Sequence, residues 1–320
     1  MNERPARPRV VWRAVDGILL LDKPVGLSSN QALQRARRLY RAAKAGHTGS
    51  LDPLASGILP LCFGEATKVA GLLLDSDKTY RATLALGART STGDREGEVV
   101  ETCTVPRHDA AGVVAVMSGF LGAQQQVPPM YSALKREGVA LYALARRGIE
   151  VDREPRPIRI DRLVLEVFEP ASIRFSVTCS KGTYIRTLGE DIARALGCCG
   201  HLTDLARTEI SAFEGRTAIG FEALEAMAAD EAALDALLLP LDAALNDLAA
   251  VHLTAEEAGR FGHGQRVALS VPSATQAGPT GRARVRVYGP LGFLGLGAIA
   301  AGETELLPVR LLARSLPLAS

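Results

Sequence analysis

The chain has 320 residues, 47% of them hydrophobic and 22% charged, with a formal net charge of +2. At roughly 150 residues per domain that length suggests two domains, and the composition is ordinary for a soluble globular protein. No apolar run approaches the ~20 residues of a membrane helix, the Pro- and Arg-rich start (residues 1–13) lacks the apolar core of a secretory signal, and five cysteines without a Cys-x-x-Cys pair read as a reduced, cytoplasmic, metal-free protein.

Residues 16–23 (DGILLLDK) predict a buried strand, ended by a Pro-Val-Gly turn. Ser28 or Ser29 then caps a helix to about Lys44, with Ala32, Leu33, Ala36, Leu39, Tyr40 and Ala43 at helical spacing and Gly46 as its stop. Residues 46–68, dense in Gly, Pro and Thr, read as a structured loop leading into a short helix. The alternation at 79–86 places Tyr80, Ala82, Leu84 and Leu86 on one side of a strand. Residues 124–151 read as an excursion, a Pro-Pro turn followed by a basic helix containing Leu141, Tyr142, Leu144, Arg146 and Arg147.

Strands are expected again at 158–166 and 173–179, then a helix capped by Thr183 and running to Ala195. Residues 223–249 are Ala/Leu-rich and read as helix. After about Ala250 the chain turns to short Gly-rich strands at 284–288, 295–300 and 307–312, with a polar loop at 270–281. A domain boundary is placed there. Antiparallel-looking strands with intervening helices, without regular βα alternation, argue for an α+β fold. The GFLGLG run at 292–297 has its glycines in the wrong order for a dinucleotide fingerprint, and there is no phosphate-binding Gly-x-x-x-x-Gly-Lys loop.

The near-neutral total hides an asymmetry. Residues 222–257 contain nine acids and no Lys or Arg, so the rest of the chain carries an excess of +11. A polyanion partner would use such an excess, with the acidic helices facing elsewhere. Three clusters could do chemistry. The loop at 46–57 (GHTGSLDPLASG) holds an Asp beside Pro, which is either a turn or a positioned carboxylate. Residues 180–186 (SKGTYIR) form a basic and aromatic group at a strand-to-helix junction that could hold a phosphate. Residues 77–81 (DKTYR) carry Tyr80, which could stack on a base or fill core.

Taken together with LDKPVG (21–26), GHTGSLDPLASGILPLCFGEATK (46–68), TSTGD (90–94), QVPPMYSALK (126–135) and KGTYIR (181–186), the chain resembles the bacterial tRNA pseudouridine-55 synthase (TruB) family from about residue 16 to 219. The tail after residue 250 is similar to that family's small PUA-type RNA-binding domain. Ser28 and Ser56 stand where Thr is usual, and Ala206 replaces the first Arg of a Leu-Arg-Arg-Thr motif.

The resemblance implies a pseudouridine-synthase α+β fold with a mixed, mainly antiparallel central sheet flanked by helices, a thumb-like insertion near 124–151, a catalytic domain at 1–249 and a PUA-like domain at 250–320. It implies isomerisation of uridine-55 in the TΨC loop of tRNA, with no metal or other cofactor, by a stand-alone monomer. Asp52 is implied as the nucleophile, Arg186 as its paired cation, and Tyr80 as the ring that stacks on the uracil. Tyr184 and Leu205 are implied as further walls of the base pocket, and His47 as the residue that takes the extruded base's place in the stack. Lys23 and Lys135 are expected to contact phosphate or support the loop. The competing reading is an RNA-binding or RNA-folding protein without catalysis, which would have no need of Asp52, Tyr80 and Arg186 together.

Overall fold

The apolar run near the start of the chain forms a strand covered on both faces. In β1 (Gly17–Lys23), Leu19 and Leu21 join one apolar cluster while Ile18 and Leu20 join another, as alternating side chains of a buried strand must. The computed structural model describes residues 11–269, 282–300 and 304–313; the expected polar loop at 270–281 and most of the Pro/Arg-rich start lie outside the described residues.

Helix α1 (Ser29–Leu39) follows, with Ser28 as N-cap in a reciprocal capping box with Gln31. The helix stops five residues before the expected end. Arg41 takes a left-handed φ of 47°, with Arg41 N–H on the Arg38 carbonyl at 3.1 Å and Ala42 N–H on the Arg37 carbonyl at 3.0 Å. That is a Schellman ending without glycine; Arg13 holds it by exchanging backbone hydrogen bonds with Arg41 and Ala43. Gly46, the expected stop, instead lies in β2 (Ala45–His47). Much of the expected 46–68 loop is also strand: β3 (Ser56–Phe63) runs antiparallel to β1. Pro60 is accommodated there, and its carbonyl accepts from Thr48 N–H at 3.1 Å.

A 3-10 turn (Gly64–Lys68) and α2 (Ala70–Leu73) lead to β4 (Lys78–Leu86), where Ala82, Leu84 and Leu86 are buried as the alternation predicts. The hairpin β5 (Ala88–Thr90) and β6 (Val99–Thr102), α3 (Ala110–Ser118) and β7 (Gly122–Gln126) come next. The excursion is a two-residue-per-strand hairpin, β8 (Lys135–Arg136) and β9 (Val139–Ala140), with one short helix, α4 (Leu141–Ala145). The long strands β10 (Arg156–Glu169) and β11 (Ser172–Cys179) precede α5 (Ile185–Ala195) and β12 (Gly200–Ile210). The N-cap of α5 is Tyr184, not Thr183, whose hydroxyl donates to the Ser180 carbonyl at 3.0 Å.

The strands build an eight-stranded sheet in the order β1-β3-β12-β4-β11-β10-β7, with β2 on β3. All pairings are antiparallel except β12 on β3, so the sheet is mixed and mainly antiparallel. Apolar residues of α1, α3 and α5 join those of β3, β4 and β11 in the principal core. Gly57 permits the parallel contact: its φ is +97°, and an added Cβ would stand 2.2 Å from the Arg207 carbonyl oxygen.

The single helix expected at 223–249 is two short ones, α6 (Phe221–Ala226) and α7 (Glu231–Ala236). Asp230 restarts the helix by accepting from Ala233 N–H at 3.0 Å, and Leu239, before Pro240, pairs with Ile18 instead. Beyond them β13 (Ala250–His252), α8 (Ala255–Gly262), β14 (Val267–Ala268), β15 (Arg282–Gly289), β16 (Gly292–Ala300) and β17 (Glu305–Leu311) form a second, five-stranded sheet with its own core. It is packed against the first body through Val69, Leu245 and Leu296. Lys68 Nζ also donates to the Leu311 carbonyl at 2.9 Å, and Ala313 N–H to Glu65 Oε2 at 2.6 Å. Among the described residues no helix is long and apolar enough to cross a membrane.

Candidate active site

The loop between β2 and β3 presents Asp52, and three parts of the fold hold that loop. Ser29 Oγ at the start of α1 accepts from Leu51 N–H at 2.7 Å and donates to the Leu51 carbonyl at 2.9 Å. Gly26 N–H donates to the Pro53 carbonyl at 2.8 Å. From β12, the buried Arg207 donates from Nη2 to the Gly49 carbonyl at 2.8 Å and from Nε to the Ile58 carbonyl at 2.7 Å. The Asp-Pro sequence does form a turn, with Ala55 N–H on the Asp52 carbonyl at 3.0 Å, and that turn also aims the carboxylate. Both readings of the loop hold at once.

Arg186, on the first turn of α5, faces Asp52. Its Nε lies 2.9 Å from Asp52 Oδ2, and its side chain is only 5% exposed against 42% for Asp52. The guanidinium donates from Nη1 to the Thr92 carbonyl and from Nη2 to the Tyr131 carbonyl, both at 2.7 Å. A second carboxylate, Asp94, lies 3.6 Å from Nε and is nearly inaccessible. It accepts from Thr92 Oγ1 at 2.6 Å and from Glu96 N–H at 3.0 Å. Fixing the planar fork from four directions leaves one oxygen pair, that of Asp52, open to the cleft.

That cleft, about 740 Å³, is lined by Asp52, Tyr80, Tyr184, Arg186 and Leu205 together, with Leu74, Lys78 and Arg207 among its other walls. Burial raises the Asp52 carboxyl above the ordinary range; Arg186 opposes this and Asp94 adds to it. Burial likewise raises the Tyr80 and Tyr184 phenols, Arg207 opposing at Tyr80 and Ser132 at Tyr184. Both phenols are therefore neutral near pH 7.

Three expected site residues do not line the cleft. Lys23 is fully buried; its Nζ donates to the Pro24 carbonyl at 2.9 Å and the Leu27 carbonyl at 2.6 Å, and burial lowers its pKa to about 8. Its bonds hold the turn at 24–27, which in turn meets the Asp52 loop through Gly26 N–H, and a fully buried ammonium is not placed to meet phosphate. Lys135 is exposed on β8. His47 is half-buried on β2 opposite Leu61, and its Nδ1 is buried without a hydrogen-bond partner. Burial, then Arg207, lowers its pKa, so the ring is neutral.

Asp94 and Thr92 stand in the TSTGD run and Arg207 in the Leu-Ala-Arg-Thr run, yet those runs alone give them no role, because only the fold shows what they touch. Among the described residues no three His, Cys, Asp or Glu side chains converge as metal ligands would.

The cleft thus presents a carboxylate, Asp52, held by a buried arginine, with two tyrosines among its walls. Comparison with known proteins narrows the class. The model of the TruB family pseudouridylate synthase N-terminal domain matches residues 37–185, that of the tRNA pseudouridylate synthase B C-terminal domain 186–246, and that of the pseudouridine synthase II TruB C-terminal region 249–312. A tRNA pseudouridine synthase B of Burkholderia mallei is 54% identical over 309 residues, covering 95% of this chain and 96% of that protein. One from Hydrogenovibrio crunogenus is 48% identical over 301 residues, covering 94% and 95%. The fold is similar to that of a solved Cbf5-Nop10-Gar1 complex, with a TM-score of 0.70 at 22% identity, covering 98% of this chain and 92% of that one. The chain belongs to the TruB family of pseudouridylate synthases.

Proposed function

We propose that the chain is a tRNA pseudouridine synthase that isomerises uridine-55 in the TΨC loop. The reaction breaks the bond between ribose C1′ and uracil N1, turns the base, and joins C1′ to C5, whose proton is lost as N1 gains one. Atoms and electrons balance within the substrate, so the isomerisation itself consumes no co-substrate.

Asp52 is the nucleophile, and its electron pair serves whether attack falls on the ring or on the anomeric carbon. Arg186 keeps the carboxylate aimed and favours its ionised form against the desolvation of the cleft. Tyr80 and Tyr184 flank the base, and Leu205 closes the pocket. The target must leave its stack to reach this depth, at a cost of a few kcal/mol; His47, five residues before the nucleophile, is the ring that fills the gap. Residues 1–249 form the catalytic unit and 250–320 a small RNA-binding unit, with Lys135 on the insertion contacting phosphate. The enzyme is read as acting as a monomer.

The observation that carries the reading is the 2.9 Å Asp52–Arg186 pair open to the cleft, in a chain so similar to named tRNA pseudouridine synthases. The test is to incubate the protein with unmodified tRNA and map pseudouridine by position. Conversion at position 55 is expected; conversion elsewhere or none would overturn the assignment.

A further inference from the structure

Between the insertion and α5 lies a hydrogen-bond arrangement to which the proposed reaction assigns no part. Gln126, the last residue of β7, is 6% exposed. Its Oε1 accepts from Tyr184 N–H at 2.8 Å and its Nε2 donates to the Tyr184 carbonyl at 3.1 Å. One side-chain amide thus pairs with both backbone groups of a single residue, as a neighbouring strand would, the carbonyl also accepting the first helical bond from Leu188 N–H at 3.0 Å. Tyr184 is where α5 begins. It is the N-cap of α5, extended at φ −98° and ψ 109°, and makes no side-chain capping bond of its own. Its ring lines the cleft, and Arg186 stands two residues on.

The base of the clamp is firm. Gln126 pairs with Arg156 in the β7–β10 register, so its backbone belongs to the central sheet. Five residues further on, the Tyr131 carbonyl accepts from Arg186 Nη2 at 2.7 Å. The root of the insertion therefore grips the first turn of α5 at two points, one on each side of the bend at 127–130.

We infer that Gln126 is a positioning residue for the proposed reaction: by holding both backbone polar groups of Tyr184 it sets the angle at which α5 begins, and so the placement of the Tyr184 ring and of the guanidinium that faces Asp52. The inference rests on the function proposed above. At this length only an amide or a protonated Glu offers a donor and a strong acceptor at one end; an ionised Glu offers acceptors only, and Met at most a weak one. Misplacement of reacting groups by about 1 Å can cost ~100-fold in rate, while the RNA grip, made over a wide surface, would be little changed.

Two variants test it, each with kcat, KM, tRNA affinity and a thermal melt measured. Gln126→Met keeps the shape and removes both bonds; kcat should fall about 10- to 100-fold while tRNA affinity stays within about threefold. Gln126→Glu adds a pH readout that a merely structural role would not show. When protonated, its carboxyl reproduces the donor and acceptor; when ionised, it sets an oxygen lone pair against the Tyr184 carbonyl. Its kcat relative to wild type should rise as pH is lowered. The charged groups around position 126 are Arg156 opposite it, and, in the cavity beside it, Arg89, Arg153 and Arg194 with Glu150, Glu190 and Asp191.

A folded Gln126→Met enzyme with wild-type kcat would overturn the inference, as would equal loss of kcat and affinity. A pH-independent ratio for Gln126→Glu would also overturn it, and this variant carries the test if the Met variant does not melt cooperatively. A wild-type protein that forms no pseudouridine would instead sink the proposed function, and this inference with it.

Discussion

The floor of the cleft and the insertion whose root borders it are built by opposite rules. On the floor, Arg186 is nearly inaccessible and tied to two carbonyls and two carboxylates from three separate stretches of chain. In the insertion, β8 and β9 are two residues each, α4 is five, and from 131 to 150 only Ser132 and Leu141 are buried. Charge on the floor is paired and fixed, and all but Asp52 of the group around Arg186 is buried. On the insertion the basic charge is exposed, held at most by a single carbonyl at Arg136 or a ring at Arg146. The difference separates two tasks: chemistry needs groups held still, while gripping a polyanion needs only charge within reach.

Asp52→Asn should break the floor most completely. The amide keeps the shape but is a poor nucleophile, so pseudouridine formation should vanish while tRNA affinity stays within about twofold. Residual turnover above about a tenth of wild type would remove Asp52 from the chemistry. In the intact enzyme, burial holds this carboxyl above the ordinary range against Arg186. Protonation removes the nucleophile, so kcat/KM should decline as pH falls, starting at a higher pH than for a free Asp. A profile flat down to about pH 4 would contradict that shift.

Tyr80 divides stacking from proton transfer. Tyr80→Leu removes the ring and should cost turnover heavily, since base–aromatic stacking is worth ~1–3 kcal/mol. Tyr80→Phe should retain most activity if the ring alone matters and lose it if the hydroxyl moves a proton. Full activity in Tyr80→Leu would contradict both.

Lys23 tests where the floor ends. Its ammonium serves two carbonyls and no solvent, so Lys23→Met should lower stability by about 1–3 kcal/mol in denaturant melts. The salt dependence of tRNA binding should not change; a flatter slope would return Lys23 to the list of phosphate contacts.

The smallest single effects belong to the insertion. Neutralising Lys135, Arg136, Arg146 and Arg147 together should leave single-turnover chemistry at saturation intact and flatten the salt slope by up to ~0.7–0.9 per lost contact. Arg136 already donates to the Asp152 carbonyl at 3.0 Å, so its share should be the least. An unchanged slope would place the RNA elsewhere.

Much of this was legible before the fold was known, for reasons that differ by residue. The alternation around Ala82 and Leu84 named β4, and the run from Ile18 to Leu21 named β1, because apolar periodicity is local. Strand β12 was missed although it carries Leu205 and Arg207: register shifts between Leu202 and Asp204 and between Arg207 and Glu209 break its period of two. The end of α1 was missed because Arg41 does the work that glycine usually signals. Asp52, Tyr80, Tyr184, Arg186 and Leu205 were legible as a set through their motifs and do meet in one cleft. Asp94 and Gln126 were not, since burial and pairing are properties of residues far apart in the chain.

The ion pairs that Arg13, Arg35 and Arg41 make with α6 and α7 also shape how a partner arrives. Arg35 is bound to Glu225, Arg13 to Asp235, and both Arg13 and Arg41 to Glu231, so three arginines of the +11 excess are cancelled where they stand. None of residues 222–257 lines the cleft. The acidic charge that would repel an approaching polyanion is thereby partly neutralised where it stands. Within a Debye length of about 8–10 Å, a polyanion at the mouth of the cleft meets walls that carry Lys78, Arg156, Lys181, Arg186 and Arg207.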